Sequence, residues 1–402
     1  MAALEGFDVE AYVAKYSGRN RTERLLFLNK TCPALQAETK RTLLRELKEG
    51  LNMKLYAEIL GDKAQEETMF IDNAKHTAAQ QHERLEQELN SYKSTMIKES
   101  IRMGHNDLGD FYFKLGDLPA ALKSFAQARD YCTTDKHIIE MCLNVSKVAL
   151  HMRNFGHVTN YLTKLEQVSS LQSDVVLKSK IASAFGLVAL HEKNYHAAAS
   201  KFIECSAEIG ASYNEVLHAE DIALYGGICA LASFKREELK EKVINNSSFK
   251  AFLELLPWLR ELITDFYSSN YASCLQTLEH RKPELKLDLY LREHVDKLCK
   301  EIRSRGIIQY FYPYLSVDLR QMACTFNAPT VDLEKEICEL IAAERLHARM
   351  DSYQKVLYAY HPNQRAATYE RAFEVGRKYA AESRNLLLRI SLLKNNIIIR
   401  DT

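Results

Sequence analysis

A short turn recurs along the middle of this chain, and it narrows the fold to a stack of helical hairpins. Gly116-Asp117-Leu118 returns as Arg153-Asn154-Phe155, Lys193-Asn194-Tyr195, Ser233-Phe234 and Ser269-Asn270-Tyr271. Successive turns lie about 37 to 41 residues apart, the period of a helix pair. An Ala/Gly/Leu-rich stretch precedes each turn, such as KIASAFGLVALHE or DIALYGGICALAS. A second amphipathic stretch follows, such as AAASKFIECS or ASCLQTLE. Such units bury their apolar faces only by stacking, so residues 105–286 are expected to form a right-handed solenoid of about five hairpins.

The first hairpin, HNDLGDFYFKLGDLPAALKSFAQARDYC, shows why the pieces fit. Leu108, Gly109 and Tyr112, then Ala121 and Phe125, follow the tetratricopeptide order. Gly109 and Ala121 are small enough for the two helices to approach closely, while Tyr112 and Phe125 fill the space between hairpins. The match is partial. His105 stands where that pattern has Trp, and no Pro follows the second helix.

Residues 1–104 read as a helical region before the repeats. Breaks at Ser17-Gly18, Cys32-Pro33 and Gly50 divide residues 7–60 into three or four small helices. From Asp62 to Gly104, Leu85, Leu89, Tyr92 and Met96 recur at helical spacing and give one amphipathic face. Beyond the repeats, residues 287–362 form a second module. Leu287 to Phe311 reads as one long helix that Pro313 closes. Within 316–360, SVDLRQMACTF and TVDLEKEICELIAAERL are two helices split by Asn327-Ala328-Pro329. LHARMD and KVLYAY then suit a small β-hairpin across Asp351–Gln354. Helix, turn, helix, hairpin is the order of a winged helix. Residues 363–402 read as a C-terminal helix, about Arg365 to Ile399.

A winged helix raises a nucleic-acid reading, and its charge argues against it. Residues 316–360 hold five basic and seven acidic side chains, and the would-be reading helix carries Asp332, Glu334, Glu336 and Glu339. Phosphate neutralisation needs the opposite sign. Over the whole chain, 54 basic and 53 acidic residues leave a formal charge of +1, so no global field steers it to nucleic acid or membrane. No apolar run approaches the ~18 residues of a membrane span. The start, MAALEGFDVEAY, lacks the basic and apolar regions of a signal peptide. Nine scattered cysteines with no C-x-x-C pair read as reduced thiols in helix cores, in the cytosol or nucleus.

Catalytic and metal motifs are missing. His191 and His196 are spaced i and i+5 across a repeat turn, whereas a zincin pair needs i and i+4 on one face. They read as turn histidines. No His-x-His, no phosphate loop and no nucleophile elbow occurs. Gly226-Gly227 inside an expected helix reads as a close helix contact, and Trp258 after Pro257 as core at a helix start. Cys132 and Cys142 flank a turn without a His/Asp arrangement. No enzyme activity and no cofactor or metal is expected.

A helical-repeat solenoid ending in a winged helix resembles the PCI family, shared by the proteasome lid, the signalosome and translation initiation factor 3. The strings MIKESIRMGHNDLGDFY, ARDYCTTDKHIIEMCLNV, LYGGICALASFKREEL, NSSFKAFLELLPWLRELITDFY, NYASCL and IIQYFYPYLSVDLRQMACTFN go further. They are similar to the subunit 1 family of the constitutive photomorphogenesis 9 signalosome, from about Val9 to Ile399. The expected fold class is therefore an all-α helical-repeat (TPR-like) solenoid ending in a PCI module with a winged helix and a long C-terminal helix. The resemblance implies a non-catalytic scaffold of a complex that removes a ubiquitin-like modifier from cullins, its catalytic zinc in another subunit. It implies subunits 2 and 3 as neighbours, cullin–RING ligase components as contacts of the N-terminal part, and residence in nucleus and cytoplasm. Extended tails are absent from this chain, so functions lodged in them are not expected of it. The alternatives are a proteasome-lid or translation-factor PCI subunit, or a nucleic-acid-binding winged-helix protein.

Two partner-binding surfaces are expected. The first is the hairpin edge Lys355, Val356, Leu357 and Tyr358, whose unpaired backbone groups would invite a neighbour. The second is the C-terminal helix. Leu386, Ile390, Leu393 and Ile397 form one face, and Leu387 lies about 100–120° round from it. Leu388 and Leu392 lie further round, so apolar residues occupy several sides and imply several partners.

Overall fold

The computed structural model describes residues 8–61, 65, 67–167, 174–360 and 364–395. It divides into two compact units, up to Gly306 and from Ile307 onward.

The first unit begins with the helices Val9–Ala14, Gly18–Thr31, Gln36–Glu49 and Met53–Leu60. They share a core of Val9, Val13, Leu25, Leu43, Leu47, Met53 and Tyr56, to which Ile71 of the next helix adds. A 28-residue helix, Thr68–Thr95, follows. Its Leu85, Leu89 and Tyr92 pack with Ile101 and Leu108 of the next helix, as the spacing predicts. Met96 leaves that face: it caps the helix with φ 56° and is 83% exposed.

The repeat hairpins then run in order. They are Lys98–Leu115 with Leu118–Gln127, Asp135–His151 with Phe155–Glu166, and Val175–His191 with Tyr195–Ile203. Ala219–Ser233 and Pro257–Tyr267 with Tyr271–Leu285 complete them. The turns repeat one piece of backbone chemistry. Gly116, Arg153, Lys193 and Ser269 all take positive φ. The next N–H in each case donates five residues back: Asp117 to Tyr112, Asn154 to Ala149, Asn194 to Ala189 and Asn270 to Asp265, at 2.8–3.0 Å. This double-bonded C-cap satisfies carbonyls that a helix end otherwise orphans. Asp117, Asn154 and Asn194 then cap the following helix by accepting from Ala120, His157 and Ala197. The same residues thus stop one helix and start the next.

The fourth turn departs from the set. Phe234 is extended, and the return path runs through a π-helical stretch, Leu239–Ile244, before the helix Ser247–Leu253. Small residues set the hairpin seams. A Cβ on Gly109 would lie 2.6 Å from the Phe125 ring, and one on Gly186 would lie 2.7 Å from the Phe202 ring. Gly227 stands in the same relation to Leu259 at 2.9 Å, so Gly226-Gly227 is a close helix contact. Trp258 is not core: it is half-buried, with the Arg281 guanidinium 5.4 Å from its ring.

The long helix expected from Leu287 begins only at Val295 and ends at Phe311. Residues 286–294 are turns, because the Asp288 carboxylate accepts the N–H groups of Tyr290 and Leu291 at 3.0 Å each. Aspartate used this way offers the backbone an alternative to the helix ladder.

The second unit has the winged-helix order with one strand more than expected. Strand β1, Ser316–Asp318, precedes helix Leu319–Thr325, and helix Thr330–Ala342 follows. Strands β2, Ala348–Asp351, and β3, Val356–Ala359, complete an antiparallel sheet of order β1-β3-β2. Asn327 and Glu344 stop the two helices with positive φ, and Ala328 and Arg345 donate five residues back to Ala323 and Leu340. The capping device of the repeats therefore recurs here. Val317 and Leu357 point to a core with Leu319, Met322, Phe326, Leu333, Ile337 and Leu340. A long helix, Gln364–Lys394, ends the described chain.

Candidate functional site

The C-terminal helix keeps its apolar residues in the open. Leu386, Leu387, Leu388, Ile390 and Leu393 are each more than half exposed, Leu393 at 75%. Tyr369, Phe373, Val375 and Tyr379 extend the apolar surface toward the start of the helix. Arg377 lies 4.5 Å over the Phe373 ring, and Lys378 pairs with Glu374. Burying one such Leu or Ile is worth ~1.5–3 kcal/mol, so the exposed set is a large unrealised driving force. Ile397, expected on the same face, lies outside the described residues.

The hairpin surface is built differently from the sequence reading. Strand β3 is the middle strand, paired with β1 on one side and β2 on the other. It is not an edge, and the unpaired backbone expected at residues 355–358 is already used within the sheet. The three-residue strand β1 carries too little alternation to be seen in sequence. Leu357 is buried in the unit's core. Lys355 has φ 60°, its carbonyl accepts from Leu319, and its ammonium pairs with Glu334 at 2.7 Å. Val356 is half-buried. Tyr358 faces out, in register with Ser316 and Arg349, and Arg349 lies 4.6 Å over the Tyr360 ring. Of the four residues, Tyr358 is the one that offers outward side-chain surface.

A third constellation was missed in sequence. Arg24, 1% exposed, sits between Asp221 at 2.8 Å and Asp288 at 2.7 Å. Its guanidinium also donates to the Tyr12 hydroxyl at 2.6 Å and lies 4.0 Å over the Tyr16 ring. Tyr16 donates to Asp221 and Tyr225 to Asp288, at 2.7 and 2.6 Å. Burial alone would lower the Arg24 pKa, but Asp221 and the neighbouring groups hold it well above the ordinary range. Burial raises the Asp221 carboxyl, with Arg24 opposing. The cluster stitches the N-terminal helices to helix Ala219–Ser233 and to the 286–294 turns. Asn20 adds bonds to the Val216 and Asn214 carbonyls. Local spacing gave no signal for it: the chain breaks between the helices Val9–Ala14 and Gly18–Thr31, and Asp221 and Asp288 lie far along the sequence.

The two turn histidines find ordinary partners. His191 stacks on Phe155 at 4.0 Å, and His196 faces Phe234 and Glu238. Burial pushes the Cys142 thiol up to about 11 and those of Cys205, Cys229 and Cys274 to about 12, away from the thiolate form. Cys324 and Cys338 of the second unit are exposed rather than in helix cores. Among the described residues, no group of three or more His, Cys, Asp or Glu could hold a metal ion. No helix among them is long and apolar enough to cross a membrane.

Comparison with known proteins decides between the related families. Residues 67–242 match the family model described as 26S proteasome subunit RPN7, and residues 265–361 match the PCI domain. COP9 signalosome complex subunit 1 of Arabidopsis thaliana is 46% identical over 97% of this chain and 91% of its own length. The chain belongs to the COP9 signalosome subunit 1 family. Subunit 1b of Drosophila melanogaster is 36% identical over 98% of the chain and 86% of its own length. The 26S proteasome non-ATPase regulatory subunit 6 of rice is more distant, 22% identical over 73% of the chain and 75% of its own length. In this subunit 1 family member the PCI match takes in the second helix of the last repeat hairpin, Tyr271–Leu285, and all three strands.

Proposed function

We propose that the chain is a non-catalytic scaffold subunit of a signalosome, a complex that removes a ubiquitin-like modifier from cullins and so regulates cullin–RING ubiquitin ligases. The observation that carries this is identity of 46% across nearly the whole of a curated signalosome subunit 1, covering repeats and PCI region alike. The chain joins its complex through two surfaces: the winged-helix sheet around Tyr358, and the exposed Leu386, Leu387, Ile390 and Leu393 of the C-terminal helix. Subunits 2 and 3 are its neighbours in this reading. The N-terminal helices face cullin–RING ligase components, and the complex works in nucleus and cytoplasm.

Affinity purification of the tagged chain from cells tests the reading. The expected result is stoichiometric recovery of the other signalosome subunits, with the modifier-cleaving activity in the assembly and none in the chain alone. Recovery of proteasome lid subunits instead would overturn it. That second reading is favoured by the RPN7 match at residues 67–242.

A further inference from the structure

We propose that a cleft between the N-terminal helices and the first two repeat hairpins seats a basic side chain carried by an extended segment of a partner protein. The cleft has a volume of about 680 Å³, within the range of ligand sites and suited to a few residues of chain. One wall is Thr22 and Leu26 of helix Gly18–Thr31 with the stretch Glu49–Leu55. The other is Asp110, Phe113 and Lys114 of the first hairpin with Asn144 of the second.

The walls are braced, so the cleft is formed before anything enters it. The Arg24 cluster locks the N-terminal helices from one side. His151 of the second hairpin bonds Glu23 across the cleft's own seam at 2.8 Å. Arg19, one turn before Glu23 on the same helix, holds that carboxylate in place, also at 2.8 Å. Lys147 and Arg19 flank the Phe113 ring at 4.6 and 6.0 Å from its centroid. A site that needs no rearrangement keeps more of its contact energy as affinity.

The chemistry selects a cation. Six lining residues carry carboxylates and three carry cations. Two of the carboxylates, Glu46 and Glu140, are paired from outside the lining by Arg21 and Arg102, at 2.9 and 3.0 Å. Lys147 is taken by Glu215 at 2.7 Å. Glu49 and Asp110 hold no ion pair among the described residues. Desolvation raises the Asp110 carboxyl, with Lys147 and Lys114 opposing. Leu26, Leu51 and Leu55 supply the apolar surface that an Arg or Lys stem covers while its head stays polar. Arginine fits better than lysine, since its planar fork can pair bidentately with a carboxylate. Lys114 too holds no ion pair among the described residues, so an incoming segment meets two unpaired carboxylates for one unpaired cation, which favours a basic occupant over an acidic one.

Isothermal titration of the full chain tests this with two peptides, acetyl-Ala-Arg-Leu-Arg-Ala-amide and its counterpart with Glu at both Arg positions. The Arg peptide should bind, with the Glu peptide at least about tenfold weaker. The double variant Glu49→Lys/Asp110→Lys should lose about tenfold in affinity for the Arg peptide, while Glu192→Lys, outside the cleft, keeps it. Hydrogen exchange on the unaltered chain supplies a reading independent of variant folding: the Arg peptide should protect residues 49–55 and 110–114. Equal binding of the two peptides, no binding up to about 10 mM, or protection confined to other segments each overturns the proposal.

Discussion

Helix Ala219–Ser233 and helix Gln364–Lys394 both carry apolar residues on several sides, and they meet opposite fates. The first is buried along most of its length, from Asp221 to Ala232. The second leaves nine large apolar side chains exposed. Side-chain size and position account for the difference. The buried helix is built from Ala223, Gly226, Gly227, Ala230 and Ala232, which let neighbours reach its backbone, as Leu259 does at Gly227. The exposed helix presents Leu, Ile, Tyr and Phe interleaved with Arg377, Lys378, Arg384 and Arg389. Those charged residues leave no continuous dry face for a single neighbour, while the large side chains keep apolar area for several.

Breaking the buried side of the comparison should have the largest effect. Arg24→Ala leaves Asp221 and Asp288 buried without their cation, and removal of one member of a buried ion pair costs ~3–5 kcal/mol. Chemical denaturation should show that loss in the first unit, with faster hydrogen exchange in the 286–294 turns as well as in residues 9–31. Exchange that changes only near residue 24 would refute the coupling. Gly186→Val is the next test. Its new methyl groups meet the Phe202 ring, and overpacking of this kind costs ~1–3 kcal/mol. A melting temperature equal to that of the parent chain would show that the hairpin seam yields.

The exposed side should respond in the other sense. Leu386→Ser with Leu387→Ser should change the stability of the isolated chain by less than ~0.5 kcal/mol, the range for surface substitutions. The same pair of changes should sharply reduce recovery in the assembled complex, as should truncation after Ser383. Marked destabilisation of the isolated chain would place those leucines in its own core. The smallest effect concerns the seam at Glu23. Burial opposes its charge, yet His151 and Arg19 hold its pKa below the ordinary value. A lowered carboxyl pKa contributes stability that is present above the unfolded value of about 4.3 and is lost as pH falls through the folded one. Glu23→Gln should therefore flatten the acid side of the melting temperature against pH profile while lowering its neutral plateau. An unchanged acid limb would show that Glu23 carries no linkage.

Legibility followed the range of the interaction. The repeat turns were readable because an Asp or Asn beside a left-handed residue ends one helix and caps the next within four residues. That Gly109 allows a close helix approach was readable from its place in the repeat pattern, but its partner was not: Phe125, expected between hairpins, packs on Gly109 within the first one. Strand β1 was not, since Ser316–Asp318 is too short for alternation, and its absence from the reading made β3 look like an edge. Asp288 was not, since its turn opens a stretch whose apolar spacing alone continues a helix.

The sequence by itself determined the hairpin period, the caps, the winged-helix order and the family, because these rest on contacts between residues near each other in the chain. Only the tertiary structure decided that Arg24 meets Asp221 and Asp288, 197 and 264 residues away. It also decided that β1 takes the open side of β3, and that a polar cleft stays open beside Phe113. The physical reason is common to all three. A buried charge, a strand pairing and a cavity depend on which distant surfaces meet, and the local pattern of any one segment is compatible with many such meetings.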